Sequence, residues 1–219
     1  MSPDGGRLPD MAKGIPDAEK RRMIMDRSRT LFFERGVSAM TMEKVASLQA
    51  ISKKTLYRFF QNKDALITAV LEDRMVLVAK EVARIAADSR ITYLDRLRGI
   101  LQAVGTQFGQ ISQTFIKDLY YCKPELWEKI DKFRREHVFI IITRLFEEGR
   151  KKGFIRGDID AHLIPTLFIS AINSIITPAQ VLQLSIPPAK LFDAFVRIFY
   201  GGILTADAQR KFFTQEGKI

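Results

Sequence analysis

Two short helical segments joined by a tight connection, between residues 41 and 60, constrain the fold of this chain more than any other feature. Thr41 is suited to cap the first segment and Ser52 the second, because a side-chain oxygen at the cap accepts a free backbone N–H. Only about three residues separate the segments, so the two helices must cross at a steep angle. This spacing predicts a helix-turn-helix.

The rest of the chain also has the roughly 3.6-residue periodicity of helices, without convincing alternation of period two. An N-terminal helix is expected between a cap at Asp17 and a stop at Gly36, and Asn62 is expected to cap a long helix over residues 63–87. The predicted fold class is therefore all-α, with an N-terminal three-helix unit and a larger C-terminal helical part. Later helices are predicted over residues 92–109, 112–122, 125–152, 160–183 and 188–205.

The composition is that of a folded chain, with 47% hydrophobic and 27% charged residues in a length of 219. The net charge of +10 is concentrated in residues 13–63, which hold twelve Lys and Arg against five acidic residues. This placement favours an acidic polymer as the partner of the N-terminal part, although a solvated basic face remains open. A single cysteine and the lack of an apolar signal segment indicate the cytoplasm, and no metal or cofactor is expected.

Lysines stand at helix starts, where acidic residues are normally favoured. Lys53 and Lys54 follow the cap Ser52, and Lys63 follows the cap Asn62. A helix start carries about half a positive charge, so each lysine there is unfavourable in an isolated helix. A phosphate would remove that cost by pairing with the lysines and the free N–H groups. The pattern favours phosphate contact over a merely screened surface.

Residues 22–71 resemble the DNA-binding domain of tetracycline-repressor-like (TetR family) transcriptional regulators. The resemblance rests on the spacing from Ile24 and Gly36 to the strings ISKKTLYRFF, beginning at Ile51, and KDAL, beginning at Lys63. It implies a homodimer that binds a palindromic operator in double-stranded DNA, most often as a repressor released by a small molecule. The expected domains are a helix-turn-helix domain (17–62) and a helical regulatory and dimerisation domain (63–219), preceded by an arm (1–16) that its three Pro, three Gly and low apolar content predict to be disordered.

The same resemblance implies roles for individual side chains. Thr41, Tyr57 and Lys63 would contact backbone phosphates, while base reading would fall to the front of the recognition helix. Ala50 departs from the family pattern, which often has glycine in this turn, and a positive φ there would cost alanine some stability. Lys54 and Phe59 are two further departures. The predicted DNA-binding residues are Thr41, Ser52, Lys53, Lys54, Thr55, Tyr57, Arg58 and Lys63.

The uncharged stretch over residues 161–189 predicts a dimer interface. It contains no Asp, Glu, Lys or Arg, yet its prolines and amide side chains argue against a membrane span. A buried helix at a subunit interface accounts for it better, together with the aromatic-rich last helix. A monomeric core that uses the same helices is the alternative. The predicted interface residues are Leu167, Ala171, Ile175, Phe192, Phe195 and Phe199.

Aromatic residues in the middle of the chain are the candidates for the pocket of an unknown small-molecule effector, although aromatic residues at helical spacing more often form plain core. The chain has no nucleophile-elbow, phosphate-loop or zinc-protease motif, so an enzyme is not expected. Two alternatives stay open: a ligand-independent DNA-binding dimer, and a helical interaction protein with a basic end. The predicted pocket residues are Phe108, Phe115, Tyr120, Tyr121, Cys122, Trp127, Phe133 and His137.

Overall fold

The computed structural model describes residues 15–160, 162–175 and 186–214, so the predicted arm lies almost entirely outside the described residues. The N-terminal part is helical and follows the predicted order. A long fourth helix leads from the predicted helix-turn-helix unit into the rest of the chain. The first four helices are α1 (Asp17–Arg35), α2 (Met42–Leu48), α3 (Lys53–Phe59) and α4 (Lys63–Ala87).

Side-chain oxygens cap three of these helices, as the sequence predicts. The Thr41 hydroxyl accepts from the N–H of Lys44 at 3.2 Å, and the Ser52 hydroxyl accepts from the N–H of Thr55 at 3.0 Å. The Asn62 side chain accepts from the third residue of α4 at 2.8 Å. Because each cap satisfies a backbone N–H that the helix leaves free, the starts of α2, α3 and α4 are defined locally.

The cap predicted at Asp17 is wrong. Pro16 occupies the N-cap position without a side-chain hydrogen bond, and Asp17 is the first helical residue. An acidic residue there is still favourable, because it lies in the positive first turn.

Two turns contain a residue with positive φ. Gly36 ends α1 with a φ of 84°. Ala50, in the turn between α2 and α3, has a φ of 55°, which is strained for alanine, as its departure from the family's glycine implied.

The C-terminal part differs from its predicted helices in two places. The helix predicted over residues 125–152 is interrupted by a π-helical turn, and a short last helix was not predicted. Residues 176–183 of another predicted helix lie outside the described residues. The C-terminal elements are α5 (Tyr93–Gly109), α6 (Gln113–Cys122), α7 (Pro124–Phe133), the π-helical turn (Arg134–Val138), α8 (Phe139–Lys151), α9 (Leu163–Ile175), α10 (Pro188–Ile203) and α11 (Ala206–Phe213).

The buried side chains form two hydrophobic clusters. The N-terminal cluster is centred on Phe32, Val45 and Leu56, and it extends into α6 through Phe115. The second cluster joins α4, α5 and α8 to the last three helices, with Tyr200 among its most buried residues; it is called the regulatory cluster after the domain that the family resemblance implies there. In the described part of the chain, no helix has the length and apolarity to cross a membrane.

Helix α6 joins the two parts of the chain. The backbone N–H of Ser112, just before α6, donates to the carbonyl of Phe33 at 2.9 Å. The carboxylate of Asp118 accepts from the N–H of Ser38 at 2.7 Å. Gly36 allows this close approach, since a Cβ there would lie 2.6 Å from an Asp118 oxygen. The turn between α1 and α2 is therefore held directly by α6.

Candidate nucleic-acid interface and ligand cavity

Helix α3 presents a basic and aromatic outer face. Lys53, Lys54, Tyr57 and Arg58 are exposed, whereas Leu56 is completely buried. The helix contains no acidic residue. A short helix with one buried anchor and cations outside can approach a polyanion without losing its packing.

Buried polar contacts fix the frame beneath α3. The Gln49 amide, at the end of α2, donates to the Ser28 hydroxyl of α1 at 2.7 Å. The Arg27 guanidinium donates to the backbone carbonyl of Gln49 at 3.4 Å. These bonds fix α2 on α1, and the positive φ of Ala50 then turns the chain into α3.

The predicted DNA-contacting cations have different intramolecular partners. Lys53 pairs with Glu43 at 3.5 Å, and Arg58 pairs with Asp17; both pairs are solvent-exposed and therefore weak. Lys54 has no partner in the part of the chain that the structure describes. The Lys63 ammonium donates to the carbonyl of Val37 at 3.1 Å, so in the free protein it points at the turn between α1 and α2.

The predicted hydroxyl contacts are occupied as helix caps. Thr41 and Ser52 each accept a backbone N–H, and the hydroxyls of Ser52 and Thr55 lie 2.8 Å apart. A hydroxyl that accepts in a cap still has its own proton to donate. The exposed Thr41 hydroxyl therefore remains able to donate to a phosphate oxygen while it caps α2.

A cavity of about 220 Å³ lies where the two clusters meet. Its walls include Phe33 and Leu71 from the N-terminal cluster and Phe168 from the regulatory cluster. Four of the predicted pocket residues contribute to these walls. They are Phe108, Phe115, Trp127 and Phe133.

The other predicted pocket residues do not line this cavity. Tyr120 and Tyr121 lie on the outer side of α6, with 39% and 60% of their surface exposed. Cys122 is exposed at the end of α6, where its sulfur is 3.8 Å from the Ser38 hydroxyl. His137 is exposed and stacks on the Phe133 ring. Aromatic content alone does not indicate which side of a helix faces inward.

Two cavity arginines were missed by the sequence analysis. Arg74 of α4 and Arg134 of the π-helical turn both line the otherwise apolar walls, together with Gln107. Burial lowers the pKa of Arg134 to about 10, and burial is also the main cause that lowers the pKa of Arg74. For Arg74 alone a signal was present in the sequence, because Arg74 follows Leu71 by three residues on the apolar side of α4.

The predicted dimer residues divide between surface and core. Leu167 is 55% exposed, and Ala171 and Phe199 are half-buried. Phe192 and Phe195 are buried in the core of their own chain, with 8% and 6% of their surface exposed, so each has little area to offer a partner. The side chain of Ile175 lies outside the described residues. The sequence analysis missed the exposed Leu163 and Ile198.

Comparison with known proteins identifies this architecture. The family model of bacterial regulatory proteins, tetR family, matches residues 24–70. The chain is 24% identical to the uncharacterized HTH-type transcriptional regulator YvaF of Bacillus subtilis, over 86% of this chain and 97% of that one. It is 26% identical to the HTH-type transcriptional repressor KstR2 of Rhodococcus jostii, over 66% of this chain and 72% of that one.

A solved structure has the same fold. The TetR-family transcriptional regulator from Marinobacter aquaeolei VT8 is similar with a TM-score of 0.66 and 21% identity, over 89% of this chain and 95% of that one. The helix-turn-helix geometry, the family match and the relatives agree. Residues 24–70 of the chain thus form a helix-turn-helix domain of the tetR family of bacterial regulatory proteins, and the chain as a whole has the fold of a TetR-family transcriptional regulator and is similar over most of its length to HTH-type transcriptional regulators.

Proposed function

We propose that this chain is a homodimeric, sequence-specific repressor that releases a palindromic operator when a small molecule fills its cavity. The observation that carries the proposal is the outer face of α3. Lys53, Lys54, Tyr57 and Arg58 all face solvent there, on a helix anchored by the buried Leu56. Exposed cations and an aromatic hydroxyl on one short helix suit the major groove and its flanking phosphates.

Within that interface we assign two kinds of contact. Lys53, Lys54, Thr55 and Arg58 are the base readers, because lysine and arginine donate to guanine and a threonine methyl packs on thymine. The remaining residues position the protein on phosphates, which set register but carry no sequence information. Lys63 belongs to this second group, once its ammonium leaves the carbonyl of Val37. The positioning residues are Thr41, Ser52, Tyr57 and Lys63.

A second copy of the chain is the proposed partner of α9 and α10. Leu163 and Leu167 are more than half exposed on α9, and Ile198 is 78% exposed on α10. Exposed large apolar side chains on adjoining helices favour association through a self-complementary surface. Two helix-turn-helix units, about one DNA turn or a multiple apart, would then engage the two half-sites of a palindrome.

Coupling from ligand to DNA is proposed to pass through α4 and α6. Both helices line the cavity, through residues such as Leu71 and Phe115. Helix α6 also holds the turn between α1 and α2 through Asp118 and Ser38. A ligand that prefers a different position of these helices weakens DNA binding by its differential affinity for that state.

We retain the proposed division into a helix-turn-helix domain (17–62) and a regulatory and dimerisation domain (63–219). The N-terminal cluster continues into the first turns of α4, so the two domains share a packed boundary rather than a linker. The cavity argues against the ligand-independent dimer. The interaction protein with a basic end becomes an outcome of the test below.

The test is selection of bound sequences from random duplex DNA, with the affinity followed against salt concentration. We expect a palindromic consensus and a steep salt dependence. The double variant Lys53→Ala/Lys54→Ala should lose the consensus. The control Lys80→Ala removes an exposed lysine on α4, about 25 Å from the start of that helix at Lys63, and should keep the consensus. Binding without any consensus would contradict sequence-specific regulation.

Sedimentation tests the dimer separately. Ile198→Glu places a charge in the proposed interface and should yield monomers. Val76→Glu, an equal change at an exposed position of α4, should leave the dimer intact. A wild-type chain that sediments as a monomer at micromolar concentration would remove the proposed interface.

A further inference from the structure

The cavity contains two arginines with no acidic partner. Arg74 and Arg134 line walls that are otherwise almost entirely apolar. Neither guanidinium forms an ion pair with a carboxylate in the described residues, whereas many surface arginines of this chain do. A buried charge normally has a counter-charge or a full set of hydrogen bonds, so two unpaired guanidiniums beside open space require an explanation.

Arg134 is the less compensated of the two. One of its nitrogens donates to the side-chain oxygen of Asn173 at 3.2 Å, which is a neutral acceptor. Asn173 in turn donates to Asp131 at 2.6 Å, and Asp131 also pairs with the exposed Arg135. Asp131 is therefore engaged by Asn173 and Arg135, and the other nitrogens of Arg134 have no acceptor among the described residues.

Arg74 has more support from its surroundings. One of its terminal nitrogens donates to Gln107. Arg29 adds positive charge near it, and Asp26 and Asp73 offset part of the combined charge. The Nε of Arg74 is nevertheless buried without an acceptor. Arg74 therefore adds positive potential to the cavity, but one of its terminal nitrogens already donates to Gln107. Arg134 has more N–H donors available for a ligand.

We propose that the cavity takes an elongated apolar molecule that ends in a single carboxylate, and that this carboxylate pairs with Arg134. The planar guanidinium fork matches a carboxylate in a bidentate geometry. The apolar part of the ligand would lie along the walls formed by Val78, Ile100 and Phe108. This inference rests on the proposed function, because it names the class of ligand for the same cavity.

One charge, rather than several, fits the walls. Besides the two arginines and Gln107, the side chains that line the cavity are apolar, so a second anionic group on the ligand would lose hydration without a partner. A neutral analogue of equal length would fill the apolar walls but leave Arg134 unpaired. A cationic analogue would add repulsion to that cost.

The experiment is calorimetric titration of the full chain, without DNA, with straight-chain saturated fatty carboxylates of increasing length. Primary alcohols and amines of the same chain lengths serve as the neutral and cationic probes. We expect the carboxylate to bind at least about tenfold more tightly than the alcohol, since hydrogen bonds to charged partners are the stronger ones. Equal affinity for both, or no binding at any length, would overturn the proposal.

The variant Arg134→Met should weaken carboxylate binding by about 10- to 100-fold and leave alcohol binding unchanged. Arg134→Lys keeps the charge without the fork, so it should recover part of the preference. The control Arg144→Met removes an exposed arginine of α8 and should bind like the wild type. A preference for carboxylate that survives Arg134→Met would overturn the assignment of the head group.

Two further results separate a structural role from a ligand role. If Arg134→Met melts below the wild type and keeps its carboxylate preference, Arg134 only supports α9 through Asn173, and the proposal fails. If Arg134→Met does not fold, the proposal is tested by the carboxylate-over-alcohol preference of the wild type and by its reduction in Arg134→Lys. If the chain binds its operator but does not prefer carboxylates, only the inferred ligand class is wrong. If it prefers carboxylates but binds no operator, only the proposed function is wrong.

Discussion

The two parts of the molecule place their cations differently. Around α3, Lys53, Lys54 and Arg58 lie at the surface, where water screens them and exposed acids form weak pairs with two of them. In the regulatory part, Arg74 and Arg134 reach into an apolar cavity without an acidic partner. A surface cation has little folding cost and suits a polyanion, whereas a buried unpaired cation is costly until a small anion compensates it.

The cavity is also where the two parts meet. Phe33 and Leu71 belong to the N-terminal cluster, and Phe168 and Phe192 belong to the regulatory cluster, yet all four line the same space. A molecule in that space contacts both clusters at once. In the proposed mechanism, the boundary between the two parts, rather than the interior of either, is therefore the place where a ligand would act on their relative position.

The largest expected effect on stability comes from a substitution in the N-terminal part. Leu56→Ala removes the buried anchor of α3 and should lower the free energy of unfolding by about 3 kcal/mol, as the lost burial and the resulting cavity require. DNA binding should fall with it, because α3 loses its position. Urea denaturation and titration with the selected operator measure the two effects.

Leu97→Ala is the matched change in the regulatory cluster, where Leu97 is equally buried. We expect a similar loss of stability but unchanged operator affinity of the folded protein. Operator affinity that survives Leu56→Ala, or that falls equally in both variants, would mean that the two parts do not act separately.

A smaller effect is expected at the joint between the parts. Gly36→Ala forces an alanine into a φ of 84° and brings its Cβ to 2.6 Å from Asp118, so we expect a loss of about 2 kcal/mol in unfolding free energy. Thermal denaturation measures it. Gly109→Ala is the control, since a Cβ there meets nothing within 4 Å and alanine favours the helix. Equal stability of the two variants would contradict a close contact between Gly36 and α6 that excludes a side chain.

The local signals in the sequence predicted the N-terminal part well. Thr41, Ser52 and Asn62 cap their helices as expected, because a cap depends only on residues three positions apart. The end of α4 at residue 87 also follows from local pattern. The cap at Asp17 failed because Pro16, with its fixed backbone, takes the position before the helix.

The C-terminal part could be predicted only in outline. Helical periodicity gives the helices, but which neighbour covers each face depends on tertiary packing. Phe192 and Phe195 therefore turned out to be core, and Tyr121 turned out to be surface. The π-helical turn that starts at Arg134 has no local signal of its own, and without it Arg134 was not recognised as a cavity residue.

A third prediction sharpens the description of the surface cations. Lys54→Ala should weaken operator binding by about tenfold and change the selected consensus, because Lys54 has no competing partner and faces outward. Lys63→Ala should weaken binding to all sequences alike and reduce the salt slope, because it removes a phosphate contact only. Competition binding with operator and scrambled duplexes separates the two. An equal loss on every duplex for both variants would remove Lys54 as a base reader.

The smallest expected effect concerns Arg96, a mostly buried arginine whose charge is compensated by Glu148, unlike that of Arg134. Arg96 donates to the Ala86 carbonyl at 2.8 Å and forms a two-point pair with Glu148. Glu148→Gln removes the charge that compensates Arg96, and because Glu148 is partly exposed we expect a loss of only about 1 kcal/mol. Glu147→Gln, at an exposed position beside it, should have no effect.

The dependence on pH gives this last prediction its sign. The hydrogen bond from Arg96 is the main cause that lowers the pKa of Glu148 below its ordinary 4.5. Its contribution to stability is therefore complete above pH 4.5 and is lost as the pH falls through the lowered value. The difference between wild type and Glu148→Gln should shrink in acid, as measured by urea denaturation across that range. A constant difference would mean that Glu148 acts through packing, and that charge compensation does not distinguish Arg96 from Arg134.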